Sequence, residues 1–543
     1  MVRLRRHDVR EGSVSNGEEE KEEAVRSLIL TLAGRGYHLT PGALRLIAGG
    51  AYSARDLLAA LEGKGSELPP VLDEDAIKRI LAGIEATRVS EPQVEPTGRS
   101  TEVVGAGEAV GEERGGIEEG KGKGAAAGRS AEVGEWARVE LDPVLSIRRG
   151  VPEEFVEYFQ DRFRRLLGIV RKRFQNNLYT PSQVRLRARR LSRVHVAGLV
   201  TEKRSARRGF VIVLEDESDQ IRVFIPREEG DLYRAAESVM MDQLIVVSGE
   251  VDPKRGTLRP DAIHHPDVPR GFTPNRSRSR KRAVLISDVH VGSSYFLEDL
   301  WRRFVDWLRS EEARDVEYLL ICGDLVDGVG IYPGQEDELE IKDIYGQYEE
   351  AARLLSMLPS HIRVVYIPGN HEPVRQAEPQ PKVPERFLRP LIDSVDHFLA
   401  AGNPAVVNLE GVRILLYHGR SLNTVFKYVP GLQPPTGRTV VSAMRQLLRA
   451  RHLAPMYGEH PIAPESRDWL VIEEVPEVVH MGHVHIFGVG VYRGVRLINS
   501  GTFQAETPYI KKMGITATPG IYPILSLHDL SVRPLDLRSP TPA

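Results

Sequence analysis

Short apolar runs punctuate the second half of the chain, and each stops at a polar cluster. Ala283-Val284-Leu285-Ile286, Tyr318-Leu319-Leu320-Ile321, Val364-Val365-Tyr366-Ile367, Val412–Leu416 and Val478-Val479 have the length and sharp bounds of buried strands. Between the first two, Trp301, Phe304, Trp307 and Leu308 follow helical spacing and predict the core face of a helix. Residues 283–543 therefore predict one α/β domain.

Upstream the rhythm differs. Residues 194–200, 210–214, 221–225, 244–251 and 258–263 predict five strands, with a helix at 232–239. That order fits a small OB-type β-barrel. Stacking aromatics are thin, with Phe210 and Phe224 the main candidates and core positions the alternative for both, so the barrel reads as a docking module rather than a platform for nucleotides. A helix over 152–174 carries Phe155, Phe159, Phe163, Leu166, Leu167 and Val170 on one face, and with the barrel it makes a unit spanning 136–274. Residues 24–90 predict short helices, with Thr40-Pro41 and Ser53 at helix starts, and suit an interaction module.

Composition fills the gaps. Residues 1–23 form a polar, acidic arm. Residues 91–135 have no aromatic side chain and carry 10 Glu against 5 Lys/Arg, too little apolar surface to offset ordering entropy, so a disordered linker is expected. Residues 275–282 are basic and predict a solvated hinge. With 543 residues, three or four domains are expected at about 150 residues each. The fold class is thus multidomain: a small all-α N-terminal module, an OB-type β-barrel and an α/β domain.

No apolar run reaches the ~18 residues that span a bilayer, and polar sequence after Met1 predicts no signal peptide. A soluble cytoplasmic protein without membrane contact is expected. The single cysteine, Cys322, excludes an internal disulfide and a cysteine zinc cluster, and it reads as a small buried hydrophobe. Net charge is −3, yet residues 145–210 hold 17 Lys/Arg against 5 Asp/Glu. Within that stripe Lys203, Arg204, Arg207 and Arg208 are candidates for DNA or partner contact; the alternative is a solvated face. His264-His265, beside Pro266, predicts a surface turn, and 336–340 an acidic solvated loop.

The specific signal lies where the apolar runs end. Ser287-Asp288-Val289-His290, Gly323-Asp324-Leu325-Val326-Asp327, Gly369-Asn370-His371-Glu372, His418-Gly419 and Gly482-His483-Val484-His485 follow one another in order. Singly, each is an ordinary turn or cap; structural turns have no reason to supply His, Asp and Asn at every strand end. Two divalent ions about 3.5–4 Å apart can activate water against a phosphoryl group. Holding them that close requires an anionic bridge, for which Asp324 is the candidate. Neutral imidazoles and an amide complete the shells without repelling a phosphodiester.

These motifs resemble those of the calcineurin-like metallophosphoesterases, and the resemblance implies an α/β sandwich and individual roles. It implies Asp288, His290, Asp324 and His485 as ligands of one ion, and Asp324, Asn370, His418 and His483 as ligands of the other. His371 takes the place of the catalytic histidine, and Asp327 reads as a residue orienting a ligand. Manganese is the implied metal.

The domain order, together with residues 287–300, 369–372 and 480–520, resembles the small (B) subunits of archaeal DNA polymerase D. The last stretch includes Tyr492-Arg493-Gly494-Val495, Ile498-Asn499-Ser500-Gly501-Thr502-Phe503-Gln504 and Lys511-Lys512-Met513. This resemblance covers the chain outside the linker. It implies a 3′–5′ proofreading exonuclease acting on primer–template DNA in complex with a large catalytic polymerase subunit. A catalytically silent scaffold and a free-standing metallophosphatase are the alternatives; the full ligand set argues against the first and the extra domains against the second.

Overall fold

The computed structural model describes residues 136–252, 257–512 and 514–538, and a parallel pair of two-residue strands, His38–Leu39 with Val71–Leu72. The expected helical module and linker otherwise lie outside the described residues.

Two six-stranded sheets face each other. The first runs in the order Phe398–Ala400, Arg363–Ile367 (β3), Val316–Cys322 (β2), Arg282–Ile286 (β1), Ile521–Ser526, Val532–Asp536. Its first four strands are parallel. The second runs Gly488–Tyr492, Val495–Asn499, Val478–Met481 (β5), Val412–Leu416 (β4), Ala405–Leu409, Arg138–Leu141.

Alternate residues of each strand serve two cores, which is why the strands read as continuous apolar runs. Ala283, Leu285, Leu320, Val365 and Ile367 meet Val407, Ile414, Leu416, Val478 and Ile498 between the sheets. Val284, Ile286, Ile321, Val364 and Tyr366 turn outward into a core shared with the helix Glu298–Leu308 (α2), whose Trp301, Phe304, Trp307 and Leu308 are buried as their spacing predicted. Cys322 is buried.

The barrel closes from five strands, Arg193–Ala206, Gly209–Glu215, Gln220–Pro226, Thr257–His264 and Leu244–Asp252, the last pairing back to the first. Gly249 permits the closure: a Cβ there would lie 2.1 Å from Arg259 O.

Several local readings change. Arg138–Leu141 pairs with Ala405–Leu409, so residues grouped with the barrel on sequence extend the sandwich instead. The hinge at 275–282 is pinned. Ser277 Oγ donates to Glu410 Oε2 (2.7 Å), and Lys281 Nζ sits 2.9 Å from Glu410 and 3.0 Å from Glu317. His265 is buried, not a surface turn, and His264 Nε2 hydrogen-bonds Ser248 Oγ (2.9 Å).

The basic stripe is partly consumed inside the fold. In the helix Pro152–Arg173 (α1), Arg162 is fully buried and donates through Nε to Asp468 Oδ2 (2.7 Å). Asp468 also receives Tyr158 OH (2.8 Å) and contacts His452 Nε2 (2.8 Å). No helix among the described residues is long and apolar enough to cross a membrane.

Candidate metal centre

All five motifs lie just past the strand ends or on them. β1 delivers Asp288 and His290, β2 delivers Asp324 and Asp327, β3 delivers Asn370 and His371, β4 delivers His418, and β5 delivers His483 and His485. Strand ends suit this purpose because the chain leaves the core there on a rigid support. Asp288, His290, Asp324, His483 and His485 all take left-handed backbone angles, φ 51–70°. That conformation is costly for residues bearing a Cβ and persists where surrounding contacts enforce it. His290 N donates to Asp324 O (3.1 Å), His371 N to Asp324 Oδ1 (3.0 Å) and His483 N to Asp288 Oδ2 (2.9 Å), so each loop holds the next.

Two glycines of the motifs are there for space. A Cβ on Gly369 would lie 2.2 Å from Asp324 Oδ1, and one on Gly482 would lie 2.3 Å from Ser287 Oγ and 2.6 Å from Asp288 Oδ2.

Asp324 is the hub. Its Oδ2 is 3.2 Å from His418 Nε2, 3.9 Å from His371 Nε2 and 4.0 Å from His290 Nε2. Burial opposes its ionisation, but the imidazoles of His418 and His371 hold the carboxyl well below the usual range. Three ligand-like groups share this neighbourhood: Asp288 with His290 and His485; His290 with Asp324 and His371; Asp324 with His418 and His483. Asn370 Oδ1 joins the last, 3.1 Å from His418 Nε2.

The donor set fits divalent cations. His418 Nδ1 donates to Cys322 O (2.9 Å), which leaves Nε2 facing two oxygens, Asp324 Oδ2 and Asn370 Oδ1. His290 Nδ1 donates to Asp327 Oδ1 (2.8 Å), so its Nε2 turns a lone pair toward His485 Nε2 at 3.1 Å, itself 3.4 Å from Asp288 Oδ1. Carboxylate and amide oxygens and imidazole nitrogens converge here, a donor set that a divalent cation satisfies. A proton can serve at one point: Asp324 lifts the His418 pKa to about 10 against the pull of burial.

His371 differs from the others. Its Nδ1 donates to Asp327 O (2.6 Å) and its Nε2 faces the cluster. Burial lowers its pKa, but the Asp324 and Asp327 carboxylates outweigh burial and raise it.

Several participants escaped sequence reading. Gln335 Nε2 and Gln504 Nε2 donate to Asp327 (3.0 and 3.2 Å) and fix the carboxylate against His290. Glu372 accepts from the backbone of Leu325 (2.7 Å) and Gly369 (2.7 Å), shaping the Asp324 loop; burial and Asp324 push its pKa up to about 7. The Asn423 amide bonds His483 Nε2 (2.9 Å), and Arg420 lines the same cleft of about 310 Å³. Only their closeness to His418 in the chain could have flagged these two.

The four basic candidates of the barrel lie in its first hairpin. Lys203 is half-buried and donates to Glu237 O (2.7 Å) and Val239 O (2.9 Å), a tie that serves the barrel rather than a free phosphate contact. Arg204 pairs with Glu202 (2.8 Å), while Arg207 and Arg208 are exposed at the turn. Phe210 stacks on Tyr233 at 4.7 Å, and Phe224 is exposed.

Comparison with known proteins agrees with both halves. Residues 281–487 match the calcineurin-like phosphoesterase family, and 194–267 match an OB-fold nucleic acid binding domain. A Methanocaldococcus jannaschii protein named DNA polymerase II small subunit is 36% identical over 414 residues, spanning 72% of this chain and 68% of that protein. The proteins of that name from Pyrococcus horikoshii and Methanothermobacter thermautotrophicus are 39% and 42% identical. Their matches span 70% and 69% of this chain, and 62% and 77% of those proteins.

Proposed function

The chain belongs to the DNA polymerase II small-subunit family, and from that premise we propose that it is the 3′–5′ proofreading exonuclease of a two-subunit archaeal DNA polymerase. It acts on the primer–template held by a large catalytic subunit. The observation that carries this reading is the convergence of three imidazole nitrogens on one oxygen of Asp324 at 3.2–4.0 Å.

Asp288, His290, Asp324 and His485 would hold one divalent ion, and Asp324, Asn370, His418 and His483 the other, with manganese the favoured metal. Bound there, the ions supply Lewis-acid polarisation of the phosphoryl group and an acidified water. Asp324, which belongs to both ligand sets, would neutralise part of the ions' charge. Asp327 orients His290 through Nδ1, and Asn423 holds the His483 ring at Nε2. His371, with Nδ1 committed to Asp327 O and a raised pKa, keeps a proton on Nε2 to deliver to the departing 3′ oxygen. Of the four basic candidates, Arg207 and Arg208 are left exposed to meet DNA or the large subunit.

The test is manganese-dependent digestion of a 3′-mismatched primer–template by the two-subunit complex. Nucleotide loss from the 3′ end, abolished by His371→Ala and by Asp324→Asn, supports the reading. Bound metal without digestion would leave a scaffold in its place.

A further inference from the structure

The cleft above Asp324 has one Lys or Arg side chain among its described lining residues, Arg420. Its Nη1 donates to Gln376 O (2.9 Å) and Oε1 (3.2 Å), and Gln376 Nε2 donates to Asn370 O (2.8 Å). The guanidinium is thereby tethered through one side chain to the backbone of a ligand residue, and it follows His418 by two positions. Among the described residues no carboxylate lies within ion-pair distance of it. Its Nε–Nη2 edge, the fork that takes two oxygens of a phosphate, has no partner there. The same cleft is lined by Asp324 and Asp327 and by Ile331, Tyr332, Ile510 and Ile515.

The guanidinium is held in place by Gln376 with its second edge open to the cleft, the arrangement that receives an anion. The scissile phosphate belongs at the Asp324 cluster, and the open edge of Arg420, anchored on Gln376 rather than among the ligand groups, offers a place for the next one. We propose that Arg420 binds the phosphate next to the scissile one, so that the site selects an oligonucleotide over an isolated phosphodiester. This rests on the phosphodiesterase reading above.

The experiment compares the thymidine dinucleotide, with one phosphate, and the trinucleotide, with two, as substrates of the full chain with manganese, alone and with the large subunit. Wild type should favour the trinucleotide by about tenfold in kcat/KM, expressed in KM, the scale of one charge-assisted contact. Arg420→Ala should erase that preference and Arg420→Lys keep part of it. Arg420→Gln, which retains a donor toward Gln376 but no charge, carries the same expectation if the alanine variant melts early. Equal use of both substrates by wild type, or a preference surviving in Arg420→Ala and Arg420→Gln, overturns the role of Arg420 and leaves the phosphodiesterase reading standing. Hydrolysis of neither substrate by wild type, even in the complex, overturns both.

Discussion

Asp327 Oδ1 accepts the Nδ1 hydrogen of His290 at 2.8 Å, and that contact decides which imidazole nitrogen faces the cluster. Removing it frees the ring to flip or to change tautomer. Partners of this kind are worth about 10–100-fold in metal affinity. Asp327→Ala should therefore weaken manganese binding by that factor while the far-ultraviolet circular dichroism stays that of wild type. Calorimetric titration with manganese measures it, and an unchanged affinity would count against the orienting role.

Gly369 leaves no room for a side chain: a Cβ would meet Asp324 Oδ1 at 2.2 Å and His418 Cε1 at 2.8 Å. Both neighbours are held on other sides, so Gly369→Ala must displace the hub carboxylate. A shift of about 1 Å in such a constellation costs on the order of a hundredfold in rate. Nuclease activity of Gly369→Ala should fall by at least that much, with crystallography of the variant showing Asp324 moved. Wild-type activity would mean that the loop has slack.

Arg162 donates to Asp468 from the centre of α1, with its guanidinium also over the Phe159 ring at 4.8 Å and bonded to Pro455 O at 2.7 Å. Arg162→Ala strands the Asp468 carboxylate, which the His452 and Arg162 side chains hold well below its usual pKa against burial. Breaking a buried pair this way costs about 3–5 kcal/mol. Urea unfolding should show a loss of that size, and a change below about 1 kcal/mol would argue that His452 and Tyr158 suffice.

The same residue marks how far the sequence could be read. Strands and ligand motifs were legible because each strand is short, apolar on both faces and cut off by its polar motif. The apolar face of α1 was legible from its helical spacing. Arg162 was not: a cation in a basic stripe looks like solvent-facing charge, and its partner lies 306 residues further on. Lys203 misled in the same way, because its acceptors, the Glu237 and Val239 carbonyls, are backbone groups with no residue-type signature. Gln335 and Gln504 reach Asp327 from distant loops, and although Gln504 stands in a stretch that carries the resemblance, its residue type gives no sign of that partner.

His265 gives a prediction in pH. Burial, then the charge of Arg449, pushes its pKa down to about 3 from the ordinary 6.5, and its Nδ1 has no hydrogen-bond partner among the described residues. The folded chain therefore refuses a proton that the unfolded chain accepts below about pH 6.5. Stability from this site is fully present above that pH and is lost as pH falls toward 3, because there the unfolded state binds more protons. The slope is roughly 1.4 kcal/mol per pH unit for one such group. His265→Gln removes the titration, so its unfolding free energy should decline less steeply than that of wild type between pH 6 and 4. Urea denaturation at steps across that range measures both slopes. Parallel curves would mean that His265 takes up its proton in the folded state, through an opening of the helix–barrel junction that burial in this structure does not provide.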